Sequence, residues 1–331
     1  MTGSWSTPSR RRFLAISAAA FGTALLPAAG RAALPLHRWR GVALGADAEI
    51  RIYHADAAVA GDLLARARAE IRRLEAVFSL YQGDSALSRL NRDGRLEAPP
   101  LDLVDLLGYA RTLHQLSGGA FDPTVQPLWR LYAEHYAGGG SGPAAEAIAA
   151  TLGCVGFHHV RVAPHEIRLT RPGMALTLNG IAQGFVTDRI SDLLHADGLR
   201  DILVDLGEIR AHGSDAAGDG WRVGLDPDHS AGAAAERIRL RDGALASSAG
   251  LGTTFDAAGH VGHILDPRDG LPVRSGLRGV SVMADRAVVA DGLSTAALVC
   301  DRAMLGRMLA AYPGARARLV TGEGAGLWLG G

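Results

Sequence analysis

Apolar and polar residues alternate along Ala48-Glu49-Ile50-Arg51-Ile52-Tyr53, the two-residue period of a strand with one buried face. The period then changes. Leu63, Leu64, Ala67, Ile71, Leu74 and Val77 recur at three- and four-residue spacing with Arg and Glu between them, which predicts an amphipathic helix over Ala57–Phe78. Shorter helices are predicted at Ser85–Leu90 and Leu101–Leu116, and the glycine-rich stretch Ala137–Pro143 reads as a loop. In the second half, a helix over Ile181–Leu194 leads into the apolar strand Ile202–Leu206. Strands are expected at Trp221–Leu225, Arg237–Leu240, His260–Leu265 and Gly279–Met283, and helices at Ala290–Leu298 and Arg302–Tyr312. Strands and helices mix without a regular βαβ rhythm, so the expected class is α+β and not a doubly wound sheet.

The N-terminus follows a different logic. Ser9-Arg10-Arg11-Arg12-Phe13-Leu14 precedes an apolar run from Ala15 to Leu26, then Pro27 and small residues. This is the layout of a twin-arginine signal peptide, assigned to residues 1–30, with cleavage expected between Gly30 and Ala33. The apolar run is short for a bilayer span, so an exported, periplasmic protein without a membrane anchor is expected.

Composition narrows the chemistry. The chain has 331 residues and 34 Lys+Arg positions, and every one of the 34 is Arg. A guanidinium stays protonated and cannot serve as a base, a Schiff-base amine or the phosphate-gripping ammonium of a P-loop. Acidic residues also number 34, so no global field points to nucleic acid, and aromatics at 5% offer few base-stacking platforms. Cys154 and Cys300 stand far apart and read as buried small apolar residues.

Four segments carry more polar groups and glycines than a core needs. In Gly118 to Val125, Pro123 holds Asp122 extended, so that Asp122 and Thr124 either face a ligand or cap the next helix. Leu178 to Phe185, with Gly180 and Gly184, is either an anion-accepting strand-to-helix turn or a plain glycine loop. In Gly262 to Gly270, His263 precedes an Asp266-Pro267 turn; its imidazole is a candidate proton acceptor, and Arg268 a candidate phosphate contact. Asp291 and Thr295 lie four apart on a helical face, where they either hold a hard cation or cap and back-bond their own helix.

Together these segments resemble the ApbE family, the exported FAD:protein FMN transferases. The resemblance runs from about Gly41 to Leu309, within a domain taken as 41–331, and includes Phe78 to Tyr81, Ser85 to Asn91, Gly119 to Thr124, Leu178 to Gly184, Ala246 to Ser248, His263 to Gly270 and Ala290 to Thr295. It implies an ApbE-like fold of mixed and antiparallel sheets with packed helices in two intimate subdomains. It also implies Mg²⁺-dependent transfer of FMN from FAD to a Thr or Ser hydroxyl of an acceptor flavoprotein, with AMP released. Mg²⁺ would be held by Gly180, Asp291 and Thr295 with Ser294 assisting, and His263 would take the hydroxyl proton. Leu44, Tyr81, Ala120, Phe121, Asp122, Thr177, Gln183 and Leu265 would line the flavin and adenine site. Leu203 to Ile209, with its Leu-Gly-Glu-Ile variant, is similar to the branch that accompanies nitrous oxide reductase, which implies a respiratory membrane flavoprotein as acceptor. This chain departs from the family's usual residues with Thr177 for Asp, Gln183 for Lys, Asp269 for Thr and Ala249 for Gly. Thr177 and Gln183 motivate an alternative, a non-catalytic exported FAD-binding assembly factor or carrier. A further alternative is an FAD pyrophosphatase, in which water replaces the hydroxyl.

Overall fold

The computed structural model describes residues 34–225, 236–322 and 324–331. The twin-arginine segment of residues 1–30 lies outside the described residues. In chain order the elements begin with strands β1 (Leu36–Ala43) and β2 (Ala46–Tyr53), then helices α1 (Ala57–Phe78) and α2 (Ala86–Asp93), β3 (Arg95–Glu97) and α3 (Leu101–Leu116). Helices α4 (Gln126–Ala137) and α5 (Ala145–Leu152), strands β4 (Val160–Ala163) and β5 (Glu166–Leu169), and helix α6 (Ala182–Ala196) complete the first half. Next come β6 (Ile202–Asp205), β7 (Ile209–His212), β8 (Trp221–Leu225), β9 (Glu236–Leu240), β10 (Gly243–Ala249) and β11 (Leu277–Ala284). Helices α7 (Ala287–Val299) and α8 (Arg302–Ala310) and strands β12 (Arg316–Thr321) and β13 (Gly326–Gly330) finish the chain.

Eight strands form one sheet in the order β1-β2-β6-β7-β10-β11-β12-β13, and every ladder in it is antiparallel. The expected α+β class is therefore realised with antiparallel pairing throughout the described strands, including the small sheets β3-β5-β4 and β8-β9. One face of the large sheet carries α1, α6 and α7, whose buried Ile71, Leu74, Val186, Ile190, Leu293 and Ala297 join strand residues such as Ile50, Val204 and Val282 in the main core. The other face is covered by the β8-β9 ribbon, through Trp221, Val223, Leu225 and Leu240 packed on Leu203, Ala211 and Leu245.

Local chemistry sets the helix ends. Asp56 caps α1 by accepting from Ala58 N at 2.8 Å, and Ser85 caps α2 by accepting from Ser88 N at 3.0 Å. The first N–H groups of α7, on Ala287 and Val288, are both bound by the buried Asp188 of α6 at 2.9 Å, so the two helices are locked end to side. Their approach is close enough to require Gly184: a Cβ there would sit 2.8 Å from Asp291 Cβ and press into the Ala287 backbone. Gly184→Ala is expected to destabilise the fold by about 1–3 kcal/mol, as overpacking does; a denaturant midpoint equal to that of the parent chain would refute this packing.

The periodic segments appear where expected, α1 and α3 with the predicted limits. The strand expected at His260–Leu265 is absent. That stretch belongs to a long loop held by two isolated bridges, Thr254 with Gly262 and Leu265 with Pro272. Side-chain anchoring replaces a ladder there, because Phe255 lies among the rings of Trp129, Tyr132 and Tyr136 of α4, with centroids 5.5, 5.5 and 6.3 Å away. Cys154 and Cys300 are free and half-buried, not fully buried.

Candidate active site

A cavity of 1010 Å³ opens where the β6-β7 turn and the end of β10 meet the N-terminal end of α6, the middle of α7, α4 and the 250–267 loop. Of the residues that the resemblance assigns to the flavin and adenine site, the metal and proton transfer, Tyr81, Ala120, Phe121, Asp122, Thr177, Gly180, Gln183, His263, Leu265, Asp291 and Thr295 all line it. Two do not. Leu44 occupies the left-handed turn between β1 and β2 at φ 48°, and its N–H donates to Glu75 Oε1 at 2.8 Å. Ser294 is fully buried behind the wall. Its hydroxyl donates to Asp291 O at 2.9 Å and contacts Ser248 Oγ at 2.8 Å. Since Ser294 has one proton and gives it to the Asp291 carbonyl, Ser248 donates to Ser294, and its oxygen also lies 3.4 Å from Thr295 Oγ1.

The backbone around Gly180 packs on Thr295, to the point that a Cβ at 180 would lie 3.0 Å from Thr295 Oγ1. Asp291 is 2% exposed and accepts from Gly184 N through Oδ2 at 2.9 Å, while Oδ1 takes no bond from the α6 backbone among the described residues. Burial pushes this carboxyl up to about 7. Glu208, at the β6-β7 turn, is pushed well up by burial and by the Asp291 charge, and it accepts from Ser247 N at 3.2 Å. Two buried carboxyls thus share a cavity wall without a basic side chain bonded to either among the described residues. A carboxylate, a hydroxyl and a backbone segment meet at this wall, a donor set of oxygens suited to a hard divalent cation. Among the described residues no group of three or more His, Cys, Asp or Glu is arranged to hold a metal, so a cation here would complete its shell with other oxygens.

His263 lines the same cavity from the 250–267 loop. Both its backbone N–H, at 3.1 Å, and its ring Nδ1, at 2.9 Å, meet the Thr253 carbonyl. A carbonyl only accepts, so Nδ1 carries the ring proton and Nε2 keeps its lone pair. Burial holds the imidazole below its ordinary range, against the opposing Thr253 bond, so it is neutral at pH 7.

Asp122 resolves as a brace. Oδ1 accepts from Thr124 N at 2.8 Å and Thr124 Oγ1 at 2.6 Å, and Oδ2 accepts from Phe157 N at 2.9 Å. It borders the cavity while its oxygens are taken by the protein. Thr177 N donates to Pro123 O at 2.8 Å, and Asn91 exchanges two bonds with the Leu176 backbone, at 2.7 and 2.8 Å, fixing this wall. Arg268, considered from sequence for phosphate, is engaged by Asp266 through Nε at 2.8 Å and Nη2 at 2.6 Å and does not line the cavity. The cavity's free guanidinium is that of Arg130, exposed at the mouth and without a bonded partner among the described residues. Sequence reasoning missed Arg130, although Gln126, Trp129 and Arg130 fall at helical spacing on the cavity side of α4.

The chain is similar to known proteins along most of its length. The ApbE family model matches residues 44–319. The chain belongs to the ApbE family. A curated relative from Treponema pallidum, named FAD:protein FMN transferase, is 30% identical over 275 residues, covering 76% of this chain and 74% of the relative. One of the same name from Haemophilus influenzae is 28% identical over 69% of this chain and 70% of its own. The crystal structure of the ApbE protein from Thermotoga maritima superposes with a TM-score of 0.77 at 26% identity, covering 89% of this chain and 97% of that one. Apo flavinyl transferase ApbE from Pseudomonas stutzeri gives 0.75 at 26% identity, covering 89% and 93%. Within ApbE proteins the present chain therefore shares the α+β architecture at full-domain scale.

Proposed function

We propose that this chain is an FAD:protein FMN transferase that moves FMN from FAD to a Thr or Ser hydroxyl of an exported or membrane respiratory flavoprotein, releasing AMP. The observation that carries the reading is the meeting in one cavity of an oxygen-rich wall, Asp291 and Thr295 beside Gly180, and a neutral imidazole with a free Nε2. In the reaction the acceptor oxygen bonds to the FMN phosphorus, the pyrophosphate P–O bond breaks with its electron pair leaving on AMP, and the hydroxyl proton passes to His263 Nε2. Asp291, Thr295 and the Gly180 backbone would hold Mg²⁺, which when bound offsets charge on the phosphoryl oxygens. Arg130 at the mouth supplies a further positive charge toward the phosphates, the part that Arg268 cannot play while it clasps Asp266. The twin-arginine pattern Ser9 to Leu14 supports a periplasmic site of action. No described helix is long and apolar enough to cross a membrane.

The test is direct. Purified protein with FAD, Mg²⁺ and an acceptor domain bearing the target hydroxyl is expected to yield a flavin-fluorescent acceptor band that survives denaturation, together with one AMP per label. Bound FAD without AMP release would establish a carrier, and FMN plus AMP without label would establish a pyrophosphatase; either result overturns the proposal.

Gln183 adds a graded prediction. Its side chain lies against Gly207, which has φ 98° and where a Cβ would meet Gln183 Nε2 at 2.6 Å. Gln183→Lys would bring an ammonium to the wall shared by Glu208 and Asp291. FAD affinity is expected to rise about tenfold, the gain from neutral to charge-assisted hydrogen bonding. Quenching of flavin fluorescence measures it, and an unchanged Kd would show that position 183 does not reach the phosphates.

A further inference from the structure

β10 ends at the cavity, and its side chains alternate between the two faces of the large sheet. Ala244 and Ala246 point into the main core under the helices, whereas Leu245 packs with the β8-β9 ribbon. Ser248 falls in the first set, so its hydroxyl reaches α7, while Ser247 Oγ meets Ser281 Oγ of β11 at 2.8 Å instead. On α7, Ser248 Oγ lies 2.8 Å from Ser294 Oγ and 3.4 Å from Thr295 Oγ1. Ser248 and Thr295 both line the cavity, and Ser294 is fully buried behind them.

Counting protons gives these three hydroxyls one direction. Ser294 has a single O–H, which Asp291 O accepts at 2.9 Å. Ser248 must therefore donate to Ser294, and with its own proton spent it can only accept from Thr295. The chain runs from Thr295 to Ser248 to Ser294 to Asp291 O. A threonine inside a helix often bonds back to a carbonyl of its own helix, but among the described residues the Thr295 hydroxyl is bonded to Ser248 alone. At 3.4 Å that link is long for an O–H···O bond, so it contributes direction more than energy. With its proton directed at Ser248, Thr295 Oγ1 keeps its lone pairs for the cavity it lines and for the Gly180 segment packed on it. A neutral hydroxyl can ligate a cation only through a lone pair, and the group that accepts its proton sets how that lone pair is presented.

We propose that Ser248 and Ser294 are positioning residues of the cation site: their hydroxyls form a one-way relay that takes up the Thr295 proton and presents Thr295 Oγ1 as an acceptor. Both act through Thr295 and not as ligands of the cation. The inference rests on the reading of Asp291, Thr295 and Gly180 as the cation site; the order of the protons comes from the hydroxyl bonds themselves.

Titration calorimetry of the chain with MgCl₂ alone, without FAD, tests it. Ser248→Ala leaves the Thr295 proton without its acceptor and is expected to weaken Mg²⁺ binding about 10- to 100-fold, the loss usual when the partner of a metal ligand is removed. Ser248→Thr returns a hydroxyl and should recover the affinity. Ser294→Ala removes the acceptor that fixes the Ser248 rotor and should weaken Mg²⁺ as well, yet the double variant should lose no more than Ser248→Ala alone, because one break already releases Thr295. A merely structural role would not produce this ceiling, nor would Ser294 acting as a ligand in its own right. Losses that add across the two serines, or parent affinity in Ser248→Ala, overturn the proposal; where Ser248→Ala does not fold, parent affinity in Ser294→Ala overturns it. The cation reading fails separately. No Mg²⁺ binding by the parent chain removes the cation site and the relay together, whereas parent affinity in Ser248→Ala with binding lost in Asp291→Asn leaves the site standing and removes only the relay.

Discussion

Asp291→Ala is expected to lower FMN transfer by at least about 10³-fold, the several kcal/mol that a cation beside developing phosphoryl charge contributes. Two separate things would be lost. The first is the carboxylate of the oxygen-rich wall; the second is the acceptor for Gly184 N–H, which links α7 to α6. Asp291→Asn separates them, because the amide oxygen still accepts from Gly184 while the charge is gone. The asparagine variant should retain the parent chain's denaturation midpoint yet share the activity loss, and titration calorimetry with Mg²⁺ alone should show binding by the parent chain and none by the variant. Removing Mg²⁺ with a chelator should reproduce the defect in the parent chain and have no further effect on Asp291→Ala. Parent-level transfer by either variant would exclude the oxygen-rich wall as the cation site. Asp291 carries this weight because burial costs its charge: with its carboxyl pushed to about 7, it favours whatever positive partner the cavity admits.

Much of this arrangement was legible along the chain, and the exceptions share a cause. The period of Leu63, Ala67, Ile71 and Leu74 depends only on one helix meeting one core, so α1 is found in the structure with its predicted ends. Asp291 and Thr295 were readable for a similar reason, since four residues along a helix fix a common face. His263 lines the cavity from a loop and not from the expected strand. Its loop is ordered by Phe255 seated on α4 and by bonds to Thr253, contacts between residues remote from any local period. Asp122 shows the limit from the other side. Its Asp-Pro-Thr spacing is compatible with ligand binding or with capping, and only the distant Phe157 N–H, 35 residues along, settles its oxygens on the protein. The resemblance implies Ser294 in the metal set, yet adjacent residues on a helix point about 100° apart, and its hydroxyl donates to Asp291 O and accepts from Ser248. Glu208 was visible in the Leu-Gly-Glu-Ile turn without a role, because its proximity to Asp291 arises from the return of α7 across the sheet more than 80 residues later.

The second large effect is expected at His263. His263→Ala should slow the transfer step by about 10²–10⁴-fold, the range that positioned proton acceptors contribute, while FAD binding changes little. The separation follows from the bonding of the ring: Nδ1–H is committed to Thr253 O, so the only group left for the substrate is the Nε2 lone pair, and its proper target is the acceptor hydroxyl. The pH dependence gives a sharper check than the size of the loss. Burial lowers the imidazole pKa below its ordinary value near 6.5, so the neutral, proton-accepting form persists down to that lowered value and is lost only beneath it. Single-turnover transfer by the parent chain should thus be level across neutral pH and fall as acid protonates Nε2. In His263→Ala that acid limb should vanish, leaving a slow rate that is level over the same interval. His263→Gln can keep a bond to Thr253 through its amide N–H but has no basic nitrogen, so it should behave as the alanine variant in rate and as the parent chain in stability. Equal losses of FAD affinity and transfer rate in both variants, or an acid limb that survives them, would make His263 a structural tie of the 250–276 loop and move the proton acceptor elsewhere in the cavity.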